Sequence, residues 1–350
     1  MKRAWLAIGI CVAIPLFART SLTVSGLVDM VTSDLAIDRN DERIAKSIQS
    51  VQLTERLMPE TVLLLVEVGV GPDTARALGA LLTQSARLPL PAEPPISITP
   101  LPSDDAKSKM LNAARLYAQE YLTHLPNFVA TKALHKYRNY KEVVDGQWHK
   151  AGQYTTEAAH SSTRGHAPIS PDRGGKHRAD GEISEGEFGG MMAAVFEPHS
   201  ASSFTWDRWQ LVNGTRMAVF NYRAPQEYSH FTLCCRKVAQ PDGSKADEVF
   251  PIGHRGTVFI DPQTGAVRRI VIYATGLTGD SPISAAGDVL DYGEVHIGNE
   301  RYLLPVRSIA YIRVGQFETR DDVEYRDFHK FSTETAIDFG DSAEKPRPKN

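Results

Sequence analysis

At Pro126 the hydrophobic period of the chain switches from that of a helix to that of strands, and this switch restricts the fold more than any other feature. Upstream, Met110, Ala114, Tyr117, Tyr121 and Leu125 recur at three- and four-residue spacing, which puts them on one buried helix face. Asp104 or Asp105 can start that helix, and Pro126 stops it. Downstream, runs at 128–137, 147–158, 206–212, 215–223, 228–238, 256–260, 266–274, 289–297, 301–314 and 322–339 read as strands. Asn213-Gly214 between two of them is a strong short-range hairpin signal, and Asp261–Gly265 and Gly298-Asn299 mark further reversals. One short helix interrupts the series at 188–196, behind a capping box at Ser184–Glu187 and ahead of Pro198. Many strands joined by turns, with no regular alternation of strand and helix, predict an α+β fold. The expectation is a strongly twisted antiparallel sheet with helices 106–125 and 188–196 packed against it.

A second feature divides the chain. Pro89, Pro91, Pro94, Pro95, Pro100 and Pro102 make 87–103 an extended, stiff linker. Before it lies a helical N-terminal appendage, 26–86. Asn40 or Asp41 can cap a helix carrying Ile44, Ile48, Val51 and Leu57, which Pro59 ends or kinks; helices at 61–68 and 73–82 follow. After it lies a β-rich domain, 104–340, with a glycine-rich polar loop at 160–186 and a loose tail at 341–350. Lys2 and Arg3 precede an uncharged stretch, 4–17, that is too short to cross about 30 Å of hydrocarbon as a helix. It reads as a secretory signal peptide, 1–18, with Thr23 and Ser25 offering cleavage as late as residue 25; an uncleaved anchor is the alternative. No later apolar run reaches spanning length, so no membrane span is expected after the leader is removed. The expected location is the periplasm or the exterior.

Composition narrows the function classes. Hydrophobic residues at 42% and charged residues at 23% exclude a disordered chain and a multispan membrane protein. With 39 Lys and Arg against 42 Asp and Glu, the chain lacks the cationic excess that draws proteins onto nucleic acid or anionic lipid. Three cysteines cannot build a disulfide scaffold or a cysteine zinc site. Cys234 and Cys235 are neighbours on a strand and point to opposite faces: one core thiol and one outward thiol, with a vicinal disulfide switch as the alternative. No two histidines stand in H-x-H or H-E-x-x-H spacing, and His160, His166 and His177 fall in the polar loop. No nucleophile elbow, dinucleotide fingerprint or Walker loop occurs, and Asp104-Asp105 and Asp321-Asp322 sit at element ends. No catalytic residue, metal or cofactor is therefore expected. Val66–Leu78, with Gly69 and Gly71 at a tight turn, is similar to a helix-hairpin-helix, whose turn amides contact a phosphate. Asp73 puts a negative charge where the phosphate would sit, so the segment reads as a structural hairpin. The basic run Arg173–Arg178 is followed by Glu182, Glu185 and Glu187 and reads as a solvated loop.

The strand aromatics raise a ligand question. Tyr302, Leu304 and Val306 in one phase, with Ile309 and Tyr311 in the other, give apolar character to both faces of one strand. Core packing explains this, and so does a sheet that packs helices on one face and curves around a cavity on the other. Leu125-Pro126-Asn127-Phe128 running into long strands resembles the periplasmic lipoprotein-carrier (LolA-like) architecture. So do the strand-Asp-Pro-x-Thr-Gly-strand pattern of Gly256–Ile270 and the Asp291–Val295 and Leu303-Leu304-Pro305 segments. Gly186-Glu187-Phe188-Gly189 and Leu304-Pro305-Val306 are similar to segments of uncharacterised exported proteins of soil bacteria. The resemblance implies an open half-barrel around an apolar cavity, and a non-enzymatic envelope protein that carries lipid, an acyl chain or a hydrophobic segment. On this reading Phe220, Tyr222, Phe259, Tyr273, Tyr302 and Tyr311 include the cavity wall. The alternatives are an envelope scaffold that holds a protein partner and a hydrolase with a composite site.

Overall fold

The computed structural model describes residues 20–36, 40–140, 149–160, 188–229, 231–239, 245–277 and 283–330; for 36, 122, 140, 233–239 and 245–250 it describes the backbone alone. The expected leader 1–18, the capping box, most of the polar loop, the tail and the Cys234 and Cys235 side chains lie outside this set. The chain forms two compact units, one from residues up to Thr32 with Asn40–Pro95, the other from Ser33–Arg39 with Ile96 onward.

In the first unit β1 (Thr20–Leu22) precedes α1 (Val24–Ala36), whose last turn from Ser33 groups with the second unit. Then come α2 (Asp41–Gln49), β2 (Val51–Leu53), α3 (Pro59–Val68) and α4 (Pro72–Ser85). The expected single helix through Leu57 is broken. Its first half is α2, capped by Asn40, while Val51 and Leu53 turn inward from a strand that pairs in parallel with β1. A strand partner distant in sequence outweighs a marginal helical spacing there. Pro59 starts α3 rather than ending a helix, because the first helical position needs no N–H donor. Cleavage as late as residue 25 would remove β1 and the fully buried Val24.

The hairpin of α3 and α4 receives an anion from the first residue of α2. The amides of Asp73 and Thr74, at the start of α4, donate to the Asp41 carboxylate at 2.8 and 3.1 Å. Burial pushes the Asp41 carboxyl up, but the bonds from the Thr74 hydroxyl and from the amides of Asp73, Thr74 and Gly71 outweigh it and hold it below the usual range. The place a phosphate takes in the look-alike motif is filled from within, which favours the structural reading of this segment.

The second unit contains β3 (Ile96–Ser97), α5 (Asp104–His124), β4 (Phe128–Tyr140), β5 (His149–His160), α6 (Gly190–Phe196), β6 (Ser203–Val212) and β7 (Thr215–Ala224). After these come β8 (Thr232–Ala239), β9 (Lys245–Pro251), β10 (Gly253–Ile260), β11 (Val267–Thr275), β12 (Ile283–Ile297), β13 (Glu300–Val314) and β14 (Phe317–Lys330). Ten strands form one antiparallel sheet in the order β3-β6-β7-β10-β11-β12-β13-β14-β4-β5; it is open, with β3 and β5 at its edges. β8 and β9 make a separate hairpin, whose register shifts between Leu233 and Arg236. The α+β expectation holds at this level, and three details differ. The stretch 87–103 is more than a linker, since Ile96 and Ser97 pair with Gln210 and Trp209 at the sheet edge and the Trp209 indole donates to the Pro100 carbonyl at 2.7 Å. The strand expected from 228 begins at Thr232, behind a short 3-10 turn, and β9 had no counterpart in the sequence reading.

Local chemistry explains how α5 meets the sheet. Ser103 caps the helix through the Ala106 amide at 3.2 Å. At the β10–β11 reversal the Asp261 carboxylate accepts the amides of Gln263 and Thr264 at 2.8 and 3.2 Å. Gly265 follows with φ +75, and a Cβ there would stand 2.6 Å from the Ala113 backbone, so the turn docks directly on α5. The Asp-Pro-x-Thr-Gly segment is thus the seat of the helix.

Direct pairing sorts the strand residues onto two faces. Phe220, Val258, Ile270 and Leu290 stand in one cross-sheet row and pack with Met110, Ala114, Ala118 and Tyr121 of α5 and Met192 and Val195 of α6. This is the helix-covered face. On the other, Val219, Val271, Val289, Ile309 and Tyr311 form a second cluster. A row of Arg208, Val219, Phe259, Arg269, Asp291, Arg307 and Glu324 crosses that face, called here the arginine face.

Candidate functional site

A groove of about 320 Å³ opens between the C-terminal half of α5 and the start of β13. Tyr117, Tyr121 and Leu125 line it from α5 and its end, and Tyr302 and Leu303 from β13; Glu120, His124 and Arg301 complete it. The spacing that makes α5 a helix places these groups. Tyr117 and Tyr121 are one turn apart, their ring centres 5.9 Å from each other. Tyr121 also meets Tyr292 of β12 edge-on, with centres 5.9 Å apart and planes at 89°.

The hydroxyls of Tyr121 and Tyr292 are buried without a hydrogen-bond partner. Leaving a buried polar group unsatisfied costs about 1–3 kcal/mol. Burial raises all three phenols: Tyr117 to about 12, despite the opposing Arg268 charge, and Tyr121 and Tyr292 well above the ordinary value, Tyr121 helped by Tyr292 and Tyr117, and Tyr292 by Tyr117 and the Asp288 carboxylate. All three are neutral donors at physiological pH. The outer groups are ionic. Arg301 lies 3.9 Å from Glu294, which also takes Arg268 at 3.0 Å, and the Tyr302 hydroxyl donates to Glu300. His124 Nδ1 sits 2.8 Å from the Glu120 carbonyl oxygen. The arrangement is an aromatic wall with buried donors and a charged rim, suited to holding a molecule that is mostly apolar.

The six aromatics expected at a cavity do not come together. Phe220 and Tyr222 belong to the helix-covered core, and the Tyr222 hydroxyl lies 3.2 Å from His254 Nδ1. Phe259, Tyr273 and Tyr311 are on the arginine face. Tyr311 donates to Glu318 at 3.1 Å, and the Arg208 and Arg269 guanidiniums stand 5.9 and 5.3 Å from the Phe259 ring centre. Tyr302 alone of the six lines the groove. The other groove residues, Tyr117, Glu120, Tyr121, His124, Leu125, Arg301 and Leu303, are not among the six; Tyr117 and Tyr121 are visible in the sequence as a helical pair, a spacing that core packing also produces. Among the described residues no group of three or more His, Cys, Asp or Glu could hold a metal ion. No described helix is long and apolar enough to cross a membrane.

No family model and no curated protein matches the chain. A crystal structure of a DUF1329 family protein from Desulfovibrio piger is similar at a TM-score of 0.32 and 10% identity, over 69% of this chain and 99% of that one. A likeness at that level carries no argument about ligand or activity. The resemblance to lipoprotein carriers rests on the short motifs alone.

Proposed function

We propose that this is a non-enzymatic binding protein of the bacterial envelope, whose groove between α5 and β13 takes the apolar part of an amphiphilic ligand such as a lipid acyl chain. The observation that carries the reading is a tyrosine- and leucine-lined groove with an ionic rim, in which Tyr121, whose buried hydroxyl has no partner, forms part of the wall and packs against Tyr292 behind it. A half-barrel curvature of the sheet about this groove, and export through the leader at 1–18, belong to the same proposal. The test is uptake of a fluorescent fatty acyl probe by the purified protein, with mass spectrometry of its organic extract. Tyr117→Asp and Leu303→Asp should each weaken uptake at least tenfold with unchanged circular dichroism, and Tyr154→Asp on β5 should leave it intact. No uptake by the wild type, or full uptake by both folded groove variants, would sink the proposal.

A further inference from the structure

Five arginines of the arginine face have a carboxylate beside them. Arg269 lies 2.5 Å and Arg307 4.0 Å from Asp291, Arg313 lies 3.0 Å from Glu318, Arg320 lies 2.6 Å from Asp322, and Arg208 pairs with Asp207. Arg223 and Arg255 differ. They stand directly opposite each other on β7 and β10, both exposed, and neither has an acidic partner among the described residues. Directly opposed residues of an antiparallel pair share a face with Cα atoms about 4.5–5.5 Å apart, so two guanidiniums there repel unless an anion lies between them. The neighbours are fitted to an anion as well. Next in the row, Tyr273 on β11 holds the Arg255 guanidinium 5.1 Å from its ring centre. On the other side Ser203 pairs with Arg223, its hydroxyl donating to the Arg223 carbonyl at 3.4 Å, and Asn221, an exposed donor, stands two residues along β7.

We propose that Arg223 and Arg255 form a binding site for a phosphate group, with Tyr273 positioning one guanidinium and Asn221 supplying a further donor. Two planar forks meeting from adjacent strands can each give paired N–H bonds to a tetrahedral oxyanion, which lysines could not do. The site lies on the face opposite α5 and is independent of the groove. A free phosphate ester and a phospholipid headgroup present the same chemistry, so the experiment has two arms. Titration calorimetry with inorganic phosphate reads the first, and flotation with phosphatidylglycerol vesicles against phosphatidylcholine vesicles reads the second. Wild-type protein should bind in at least one arm. Arg223→Gln and Arg255→Gln should each lose at least tenfold in affinity at an unchanged unfolding midpoint, and Arg326→Gln should match the wild type. Binding confined to phosphate identifies a soluble ester as the source, and binding confined to phosphatidylglycerol vesicles identifies a headgroup. Absence of wild-type binding in both arms, or equal binding by the two variants, would overturn the site.

Discussion

On the helix-covered face of the sheet, Phe220, Val258, Ile270 and Leu290 follow one another across four strands; one residue away along each strand, the opposite face carries Val219, Phe259, Arg269 and Asp291. The first row meets side chains of α5 and α6 and is apolar throughout. The second buries Arg269 as deeply as its aliphatic neighbours, with Arg208 beside it and the Phe259 ring between the two guanidiniums. Burying a charge is tolerable only when it is paired and hydrogen-bonded. Asp207 and Gln210 together supply that for Arg208, Gln210 accepting from Nε and Nη2 at 3.0 and 2.7 Å, and Asp291 supplies it for Arg269. The two proposals rest on that difference. Among the described residues the buried arginines of the arginine face are paired and the Arg223–Arg255 corner is not, whereas the helix-covered face buries the Tyr121 and Tyr292 hydroxyls with no partner.

Truncating the two phenylalanines breaks the comparison hardest. Phe220→Ala should cost about 3–5 kcal/mol as a core cavity. Phe259→Ala should exceed it by about 1 kcal/mol, because Arg208 and Arg269 also lose the ring. Urea unfolding measures both, and an equal cost would show that the guanidinium contacts contribute nothing.

A pH series isolates the helix-covered face. Burial holds the His254 imidazole at about 4, below its ordinary 6.5, so the folded state keeps the ring neutral. The unfolded chain takes up a proton below about 6.5, so this contribution is full above that pH and is lost as pH falls toward 4. At ~1.4 kcal/mol per pH unit the window spans about 3 kcal/mol. His254→Gln should flatten the stability profile between pH 6.5 and 4, and an unchanged slope would remove His254 as its source.

Arginine substitutions separate the paired from the unpaired. Arg269→Ala leaves the largely buried Asp291 with the more distant Arg307 at 4.0 Å and should cost about 2–4 kcal/mol. Arg255→Ala should stay within about 0.5 kcal/mol. Chemical denaturation decides between this and equal losses. The smallest effects sharpen the contrast between hydroxyls. Tyr121→Phe removes a buried hydroxyl without a partner and should leave stability unchanged or raise it by up to about 1 kcal/mol, while Tyr311→Phe removes the donor to Glu318 and should lose about 1–2 kcal/mol. The thermal unfolding midpoint reads both, and a loss in Tyr121→Phe would show that its hydroxyl is already satisfied.

Period and turn chemistry determined much of this molecule from sequence alone. The three- and four-residue spacing from Met110 to Leu125 and the stop at Pro126 defined α5, and Asn213-Gly214, with φ of 49 and 77, made the β6–β7 hairpin. These signals are local: a helix face, a capping side chain and a tight turn each depend on residues a few positions apart. Only the tertiary structure decided which strands adjoin, and with that which face each aromatic occupies. Phe220 and Phe259 carry equivalent strand patterns, yet one packs beneath α5 and the other between two arginines. The pairing of β14 with β4, the edge strand within the proline stretch and the meeting of Tyr121 with Tyr292 all join residues far apart in the chain. Such long-range partners are chosen by the free energy of packing the whole sheet, and no window of sequence contains both sides of the choice.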